Sequence, residues 1–166
     1  SRALFRNLRV RRLAPLPTTL PVPAALPLPL AELHAENYPV IDLHTHLKGG
    51  LTVADVVRRQ FDTGINAGIA VNGGLGFPVT NDVTLAAAVA QARHPLTWVA
   101  LQAEGREWTK LFSRAAAGQV DYVFTDAMTI VDDAGRRMRL WIPAEVEVGE
   151  PQAFMDLLVR RTVDIL

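Results

Sequence analysis

The fold is decided by the stretch Tyr38-Pro39-Val40-Ile41-Asp42-Leu43-His44-Thr45-His46-Leu47-Lys48-Gly49-Gly50. An apolar, β-branched run follows the proline and leads into two histidines and a pair of glycines, which is typical of a buried strand that ends in a polar loop. Residues two apart in a strand point to the same face and lie about 6.6 Å apart along it, so both imidazoles can reach one cation. We therefore predict a metal site at His44 and His46. Two histidines with unrelated structural roles are the alternative.

The amino-acid composition limits the classes of partner and of metal that the chain is expected to bind. Seventeen basic and seventeen acidic side chains cancel, so there is no electrostatic reason to expect nucleic acid, and a small-molecule substrate is the expected partner. The sequence has no cysteine, so a metal must be held by His, Asp and Glu, which suits Zn²⁺ first and Mn or Fe as alternatives. No run of 18 apolar residues is present, and we expect no membrane span. A cytoplasmic protein and an exported one whose signal peptide has been removed both fit.

Residues 1–35 differ in character from the rest of the chain. Five arginines precede the first acidic residue, and six prolines between positions 15 and 29 hold the backbone extended. We predict a basic, Pro-rich extension over 1–35, followed by one domain over 36–166. The extension favours a homo-oligomer contact or an anionic partner, with a solvated arm as the alternative.

From residue 38 onward, strand patterns alternate with helix patterns. Strands are predicted at 40–43, 68–71, 97–102 and 122–125, and helices at 53–62, 81–93, 107–112 and from 151 onward. Helix caps are expected at Thr52 with Asp55, at Gly64 and at Asn81. A glycine-rich loop is predicted over 72–78 and a hairpin excursion over 130–141. Repeated strand and helix units imply an α/β fold with a parallel sheet and right-handed crossovers.

Polar side chains follow each predicted strand. In parallel sheets the chemistry collects at the carboxyl ends of the strands. The candidates at that edge are His44, His46, Asn72, Glu104, Glu107 and Asp126. Four strand ends that carry imidazole, amide and carboxylate groups to one rim predict a functional site there.

Two short motifs carry a family resemblance, and a third stretch adds to it. The run from Val40 to His46 resembles the first motif of the PHP domain, the polymerase and histidinol phosphatase family, and more distantly the opening His-x-His of the amidohydrolases. Gly105-Arg106-Glu107 is similar to the Gly-x-Glu motif of the PHP family, and Asp121-Tyr122-Val123 resembles the start of its fourth-strand motif. The resemblance implies a metal-dependent hydrolase on a (β/α) barrel, with His44, His46 and Glu107 as metal ligands.

The sequence also departs from the family pattern. Where the family usually has Thr-Asp-His after the second strand, this chain has Asn72-Gly73-Gly74, and the histidine expected after the fourth strand falls near Met128. Asp126 is the nearby side chain able to bind a cation there. About four βα units are present, whereas a complete barrel of this type has seven or eight strands. We therefore expect an incomplete PHP-like or TIM-like (β/α) barrel over 36–166, its first half or a sheet completed by a second chain.

These observations assign roles to individual side chains. The metal ligands are predicted to be His44, His46, Glu107 and Asp126, with Glu107 and Asp126 also taking part in catalysis; Asp126 could act as the base instead, and both carboxylates have structural alternatives as helix-end residues. Lys48, Arg106 and Asn72 are predicted to contact the substrate.

Three functions follow from this assignment. The first is a metal-dependent, phosphoesterase-like hydrolase that uses metal-activated water. The second is an amidohydrolase that acts on C–N or C–O bonds. The third is a non-catalytic metal- or ligand-binding module on a degenerate barrel.

Overall fold

The computed structural model describes residues 28–36, 38, 40–125 and 127–164. Six helices and six strands follow one another along these ranges, with a 3₁₀ turn at Pro143–Glu145 before the last helix. In chain order they are α1 Leu28–Ala35, β1 Ile41–Thr45, α2 Val53–Thr63, β2 Asn66–Gly74, α3 Asp82–Ala92, β3 Trp98–Glu104, α4 Trp108–Leu111, α5 Arg114–Ala117, β4 Tyr122–Phe124, β5 Thr129–Val131, β6 Arg137–Arg139 and α6 Pro151–Val163.

The first four strands form one parallel sheet in the order β1-β2-β3-β4. This confirms the predicted α/β class and the alternation of strands with helices. The predicted loop over 72–78 was wrong at its start, because Asn72 to Gly74 continue β2 and pair with Gln102 to Glu104 of β3. Glycine permits this extension: a Cβ at Gly73 would lie 2.6 Å from Leu101 Cδ1, and one at Gly74 would collide with the Glu104 backbone.

The sheet is curved so that its two outer strands approach each other. The Tyr122 hydroxyl in β4 donates a hydrogen bond to the Leu43 carbonyl in β1, and the rings of His44 and Phe124 lie 4.8 Å apart. In a flat sheet these strands would be three strand spacings, roughly 14 Å, apart, which is more than a tyrosine side chain spans. The carboxyl-terminal half of β1 and the residues of β4 therefore face each other across a concave surface.

Helices α2 and α3 help to bury the main apolar core of the sheet. Leu85 of α3 and Val99 and Leu101 of β3 are fully buried in it. Both helices begin with the predicted caps: Thr52 and Asp55 form a reciprocal capping box, as do Asn81 and Thr84. Gly64 ends α2 in the left-handed conformation, as predicted.

The chain after β4 forms a smaller unit beside the sheet. Strands β5 and β6 pair as the predicted antiparallel hairpin, and α6 packs on it through a second apolar cluster made of Ile130, Met138, Leu157, Leu140, Phe154 and Leu158. The helix predicted from 151 onward is thus confirmed, and Phe154, Leu157 and Leu158 form the face that packs on the hairpin.

The predicted N-terminal extension is corrected in its last part. Residues 28–35 form helix α1 rather than extended chain. Pro29 is compatible with this helix because it falls in the first turn, where its missing amide hydrogen breaks no helical bond. Residues 1–27 lie outside the described part of the chain. None of the helices in the described ranges is long and apolar enough to cross a membrane.

Candidate metal centre

His44 and His46 converge at the carboxyl end of β1. Their Nε2 atoms lie 3.0 Å apart, as expected for two residues on one face of a strand end. Asp42 holds this end in place: its carboxylate accepts hydrogen bonds from the His44 amide (3.0 Å) and the Thr45 hydroxyl (3.2 Å). The predicted pairing of the imidazoles is therefore observed, and their role as metal ligands stays a prediction.

The hydrogen bonds of His46 define its tautomer. Its Nδ1 lies 2.9 Å from the Ala70 carbonyl, and because a carbonyl only accepts, Nδ1 carries the hydrogen and Nε2 the lone pair. Burial lowers the pKa of His46; the bond to Ala70 opposes this, and the charge of Lys48 adds to the lowering. A neutral imidazole with one nitrogen bound to a backbone carbonyl is the form in which histidine ligates metals.

A buried carboxylate organises the polar side chains beside the histidines. Glu104 is 1% exposed. Its Oε1 accepts hydrogen bonds of 3.0 Å from the side-chain NH₂ groups of Asn72 and Gln102. Its Oε2 accepts one of 3.0 Å from the Thr129 hydroxyl in β5. Three neighbouring elements are thus tied to one side chain.

The carboxylate also determines how Gln102 is turned. Since Gln102 presents its NH₂ group to Glu104, its Oε1 faces His44, whose Nε2 lies 2.8 Å away. An amide oxygen only accepts, so His44 Nε2 donates to it. Gln102 also favours the protonated form of His46 and so opposes the lowering of its pKa. The two imidazoles and this amide oxygen therefore meet at one point.

Sequence reasoning missed Gln102 and Thr129 and treated Glu104 as one of several acids at the sheet edge. A usable signal was present: Gln102 and Glu104 stand two residues apart at the end of an otherwise apolar strand, so they share a face. Asn72 and Gln102 are register partners in β2 and β3, but that pairing became visible only with the fold.

The structure does not bring Glu107 into this cluster. Glu107 is paired with Arg137 of β6 at 3.3 Å, at the start of α4. Within the described ranges no three His, Asp or Glu side chains converge as a metal-binding group. The four-ligand set predicted from the sequence is therefore observed only in its histidine pair, and Asp126 lies outside the described residues.

The predicted substrate residues face two different cavities. Lys48 and Asn72 line a cavity of about 330 Å³ together with His46 and Phe77. Arg106 lines a separate cavity of about 670 Å³ with Phe124 and Trp108, and among the described residues its buried Nη2 has no hydrogen-bond partner. Lys48 and Asn72 thus adjoin the histidine pair directly, whereas Arg106 adjoins it only across Phe124.

Comparison with protein-family models, with curated proteins and with solved structures finds no match. The resemblance to the PHP domain therefore stays a prediction based on the two short motifs.

Proposed function

We propose that the chain is part of a metal-dependent hydrolase of the PHP or amidohydrolase type, and that His44 and His46 hold its divalent cation. The observation that carries this proposal is the 3.0 Å separation of the two Nε2 atoms. Two nitrogens bound to one tetrahedral Zn²⁺ at about 2.0–2.1 Å stand roughly 3.3 Å apart. The imidazoles thus need only a few tenths of an ångström of movement to share an ion.

The curvature of the sheet supports a barrel as the setting of this site. Contacts from β4 to β1, Tyr122 with Leu43 and Phe124 with His44, place the inner faces of the outer strands opposite each other. Side chains that point inward in a (β/α) barrel meet in the same way. We therefore assign residues 36–166 to about half of a PHP-like or TIM-like barrel.

Each residue of the proposed site has a role in hydrolysis. A divalent cation held there would supply Lewis-acid chemistry, polarising a phosphoryl or carbonyl group and acidifying water. Ala70 fixes the His46 tautomer through its carbonyl, and Phe124 packs edge-on against His44. Lys48 and Asn72 face the cavity beside His46, where an ammonium group and an amide can bind a phosphate or carboxylate oxygen. Lys48 is the reason to rank a phosphoester above an amide.

Metal analysis of the purified chain tests the proposal. We expect roughly one Zn²⁺, Mn²⁺ or Fe²⁺ per chain in the parent, lost when His44→Ala and His46→Ala are combined. His94→Ala is the matched control, since His94 lies after α3 and its imidazole accepts a hydrogen bond from the Leu96 amide, away from the histidine pair. No bound metal in the parent, or equal metal in the double variant, would contradict the proposal.

An assay with an aryl phosphate and an aryl amide then separates the candidate activities. Turnover of the phosphate that is lost with the metal supports a phosphoesterase, and turnover of the amide alone supports an amidohydrolase. Bound metal without turnover of either substrate would favour the binding module. The described residues agree with that outcome, because no acidic side chain joins the two histidines as a third ligand.

A further inference from the structure

Three ligand-capable atoms meet at the end of the sheet, although only two of them belong to histidines. His44 Nε2 lies 3.0 Å from His46 Nε2 and 2.8 Å from Gln102 Oε1. The same nitrogen of His44 therefore lies within hydrogen-bond distance of both the other two atoms. We propose that the amide oxygen of Gln102 is a third ligand of the cation, an inference that rests on the metal site proposed above.

The spacing of the atoms fits this role. Ligand atoms on one tetrahedral Zn²⁺ lie roughly 3.3 Å apart, and the separations of 3.0 and 2.8 Å are within about half an ångström of that value. In the metal-free chain a hydrogen on His44 Nε2 joins it to Gln102. A cation takes the place of that hydrogen when the neutral imidazole carries its hydrogen on Nδ1 instead.

The surroundings of Gln102 hold its oxygen in the ligating direction. Its side chain is buried, with 3% of the residue exposed, and its NH₂ group donates to Glu104 at 3.0 Å. Turning the amide over would place its oxygen against the Glu104 carboxylate, so that two acceptors would face each other in a buried place and the bond to Glu104 would be lost. Glu104 is therefore a positioning residue for Gln102, and Thr129 and Asn72 brace Glu104 in turn.

The proposed ligand set carries no negative charge. Two neutral imidazoles and a neutral amide oxygen leave the full charge of the cation uncompensated, in contrast to a set that includes an acidic ligand. Because no ligand is charged, each of the three neutral atoms contributes a larger share of the binding, and a side chain at position 102 that is apolar or too short to reach the ion should weaken it. A purely structural role of Gln102 predicts that the ion keeps the same ligands in such variants.

Titration of the metal-free chain with Co²⁺ tests the inference, because the visible absorption of Co²⁺ reports its ligands independently of catalysis. We expect Gln102→Leu to weaken binding at least about 10-fold and to change the absorption bands. Gln102→Asn, which keeps the amide but draws its oxygen back by one methylene group, should also weaken binding at least about 10-fold. The control is Gln60→Leu, which removes an equally buried glutamine that bonds Leu96 and Ala67 away from the histidines; its Co²⁺ affinity and spectrum should stay those of the parent.

The outcomes separate this inference from the proposed function. Unchanged Co²⁺ affinity and spectrum in Gln102→Leu, with binding still lost in the double histidine variant, would overturn the role of Gln102 and leave the histidine site intact. If Gln102→Leu does not fold, Gln102→Asn decides, and unchanged Co²⁺ affinity and spectrum in it would overturn the inference. A parent chain that binds no Co²⁺ would overturn both.

Discussion

At the scale of single residues, Glu104 links the main sheet to the β5–β6 hairpin. Its two oxygens receive hydrogen bonds from Asn72 in β2, Gln102 in β3 and Thr129 in β5. The Glu104 carboxylate accepts three hydrogen bonds, so its buried oxygens are satisfied by protein groups alone. A variant that replaces one of these oxygens by a donor group would leave two donors facing each other. The orientation of Gln102, and through it that of His44, therefore depends on this one carboxylate.

Replacing Glu104 by glutamine should disturb the metal site without removing either histidine. We expect Glu104→Gln to weaken Co²⁺ or Zn²⁺ binding about 10- to 100-fold, the range found when groups behind metal ligands are changed. Competition with a chelator of known affinity measures the loss. Glu145→Gln is the control, because that carboxylate pairs with Arg139 in the hairpin region instead. Equal affinity in parent and Glu104→Gln would show that the carboxylate does not position the ligands.

The lowered pKa of His46 predicts how stability depends on pH. Burial disfavours the charged imidazole in the folded chain, so the unfolded chain binds more protons between the lowered pKa and the ordinary value of 6.5. The contribution of His46 is therefore fully present above that value and is lost as pH falls below it. Urea unfolding of the metal-free parent and of His46→Asn from pH 8 to pH 5 measures the effect. The parent should lose more stability than the variant, and parallel pH profiles would contradict this.

The sequence could predict half of this site. The two-residue repeat of a strand was enough to place His44 and His46 together, because that relation is local. The partners of the histidines depend on how β1, β2 and β3 align and curve, and no local pattern states that. Glu107 was predicted to be a metal ligand because it completes a short motif. In the fold it pairs instead with Arg137 from β6, a residue thirty positions away in the sequence.

At the scale of elements, helix starts were the best predicted features. Capping depends on a few neighbouring residues, so Thr52 with Asp55 and Asn81 could be identified from the sequence. Strand ends were predicted less well, and β2 and β3 both run two or more residues beyond the expected ends. Gly73 and Gly74 are typical of loops, but here their lack of a side chain lets β2 lie against Leu101 and Glu104.

The cap of α3 gives a prediction at this scale. Asn81 Oδ1 accepts a hydrogen bond of 3.0 Å from the Thr84 amide, and Asn81→Ala removes it. We expect the free energy of unfolding to fall by about 1 kcal/mol, measured by urea denaturation. Val83→Ala, at a position in the first turn that is 79% exposed, should change it by less than about 0.5 kcal/mol. A loss in Val83→Ala as large as that in Asn81→Ala would mean that the cap is not the cause.

At the scale of the whole molecule, curvature brings the site together. The sequence predicted four parallel strands, but the approach of β4 to β1 depends on contacts between residues about eighty positions apart, such as Tyr122 with Leu43. Burial raises the pKa of Tyr122 far above its usual range, so its hydroxyl stays a donor at all ordinary pH values. Gly68 in β2 lies against this contact, and a Cβ at that position would collide with the Tyr122 hydroxyl.

A double-mutant cycle at Gly68 and Tyr122 tests whether this contact maintains the curvature. Gly68→Ala should lower the free energy of unfolding by about 1–3 kcal/mol, as overpacking does, and Tyr122→Phe should lower it by about 0.5–1.5 kcal/mol through the lost hydrogen bond. In the double variant the added methyl group meets no hydroxyl, so the two losses should sum to more than the loss observed. Urea denaturation measures all four corners of the cycle. Additive losses would mean that Tyr122 gives way freely, and the curvature of the sheet would then need another cause.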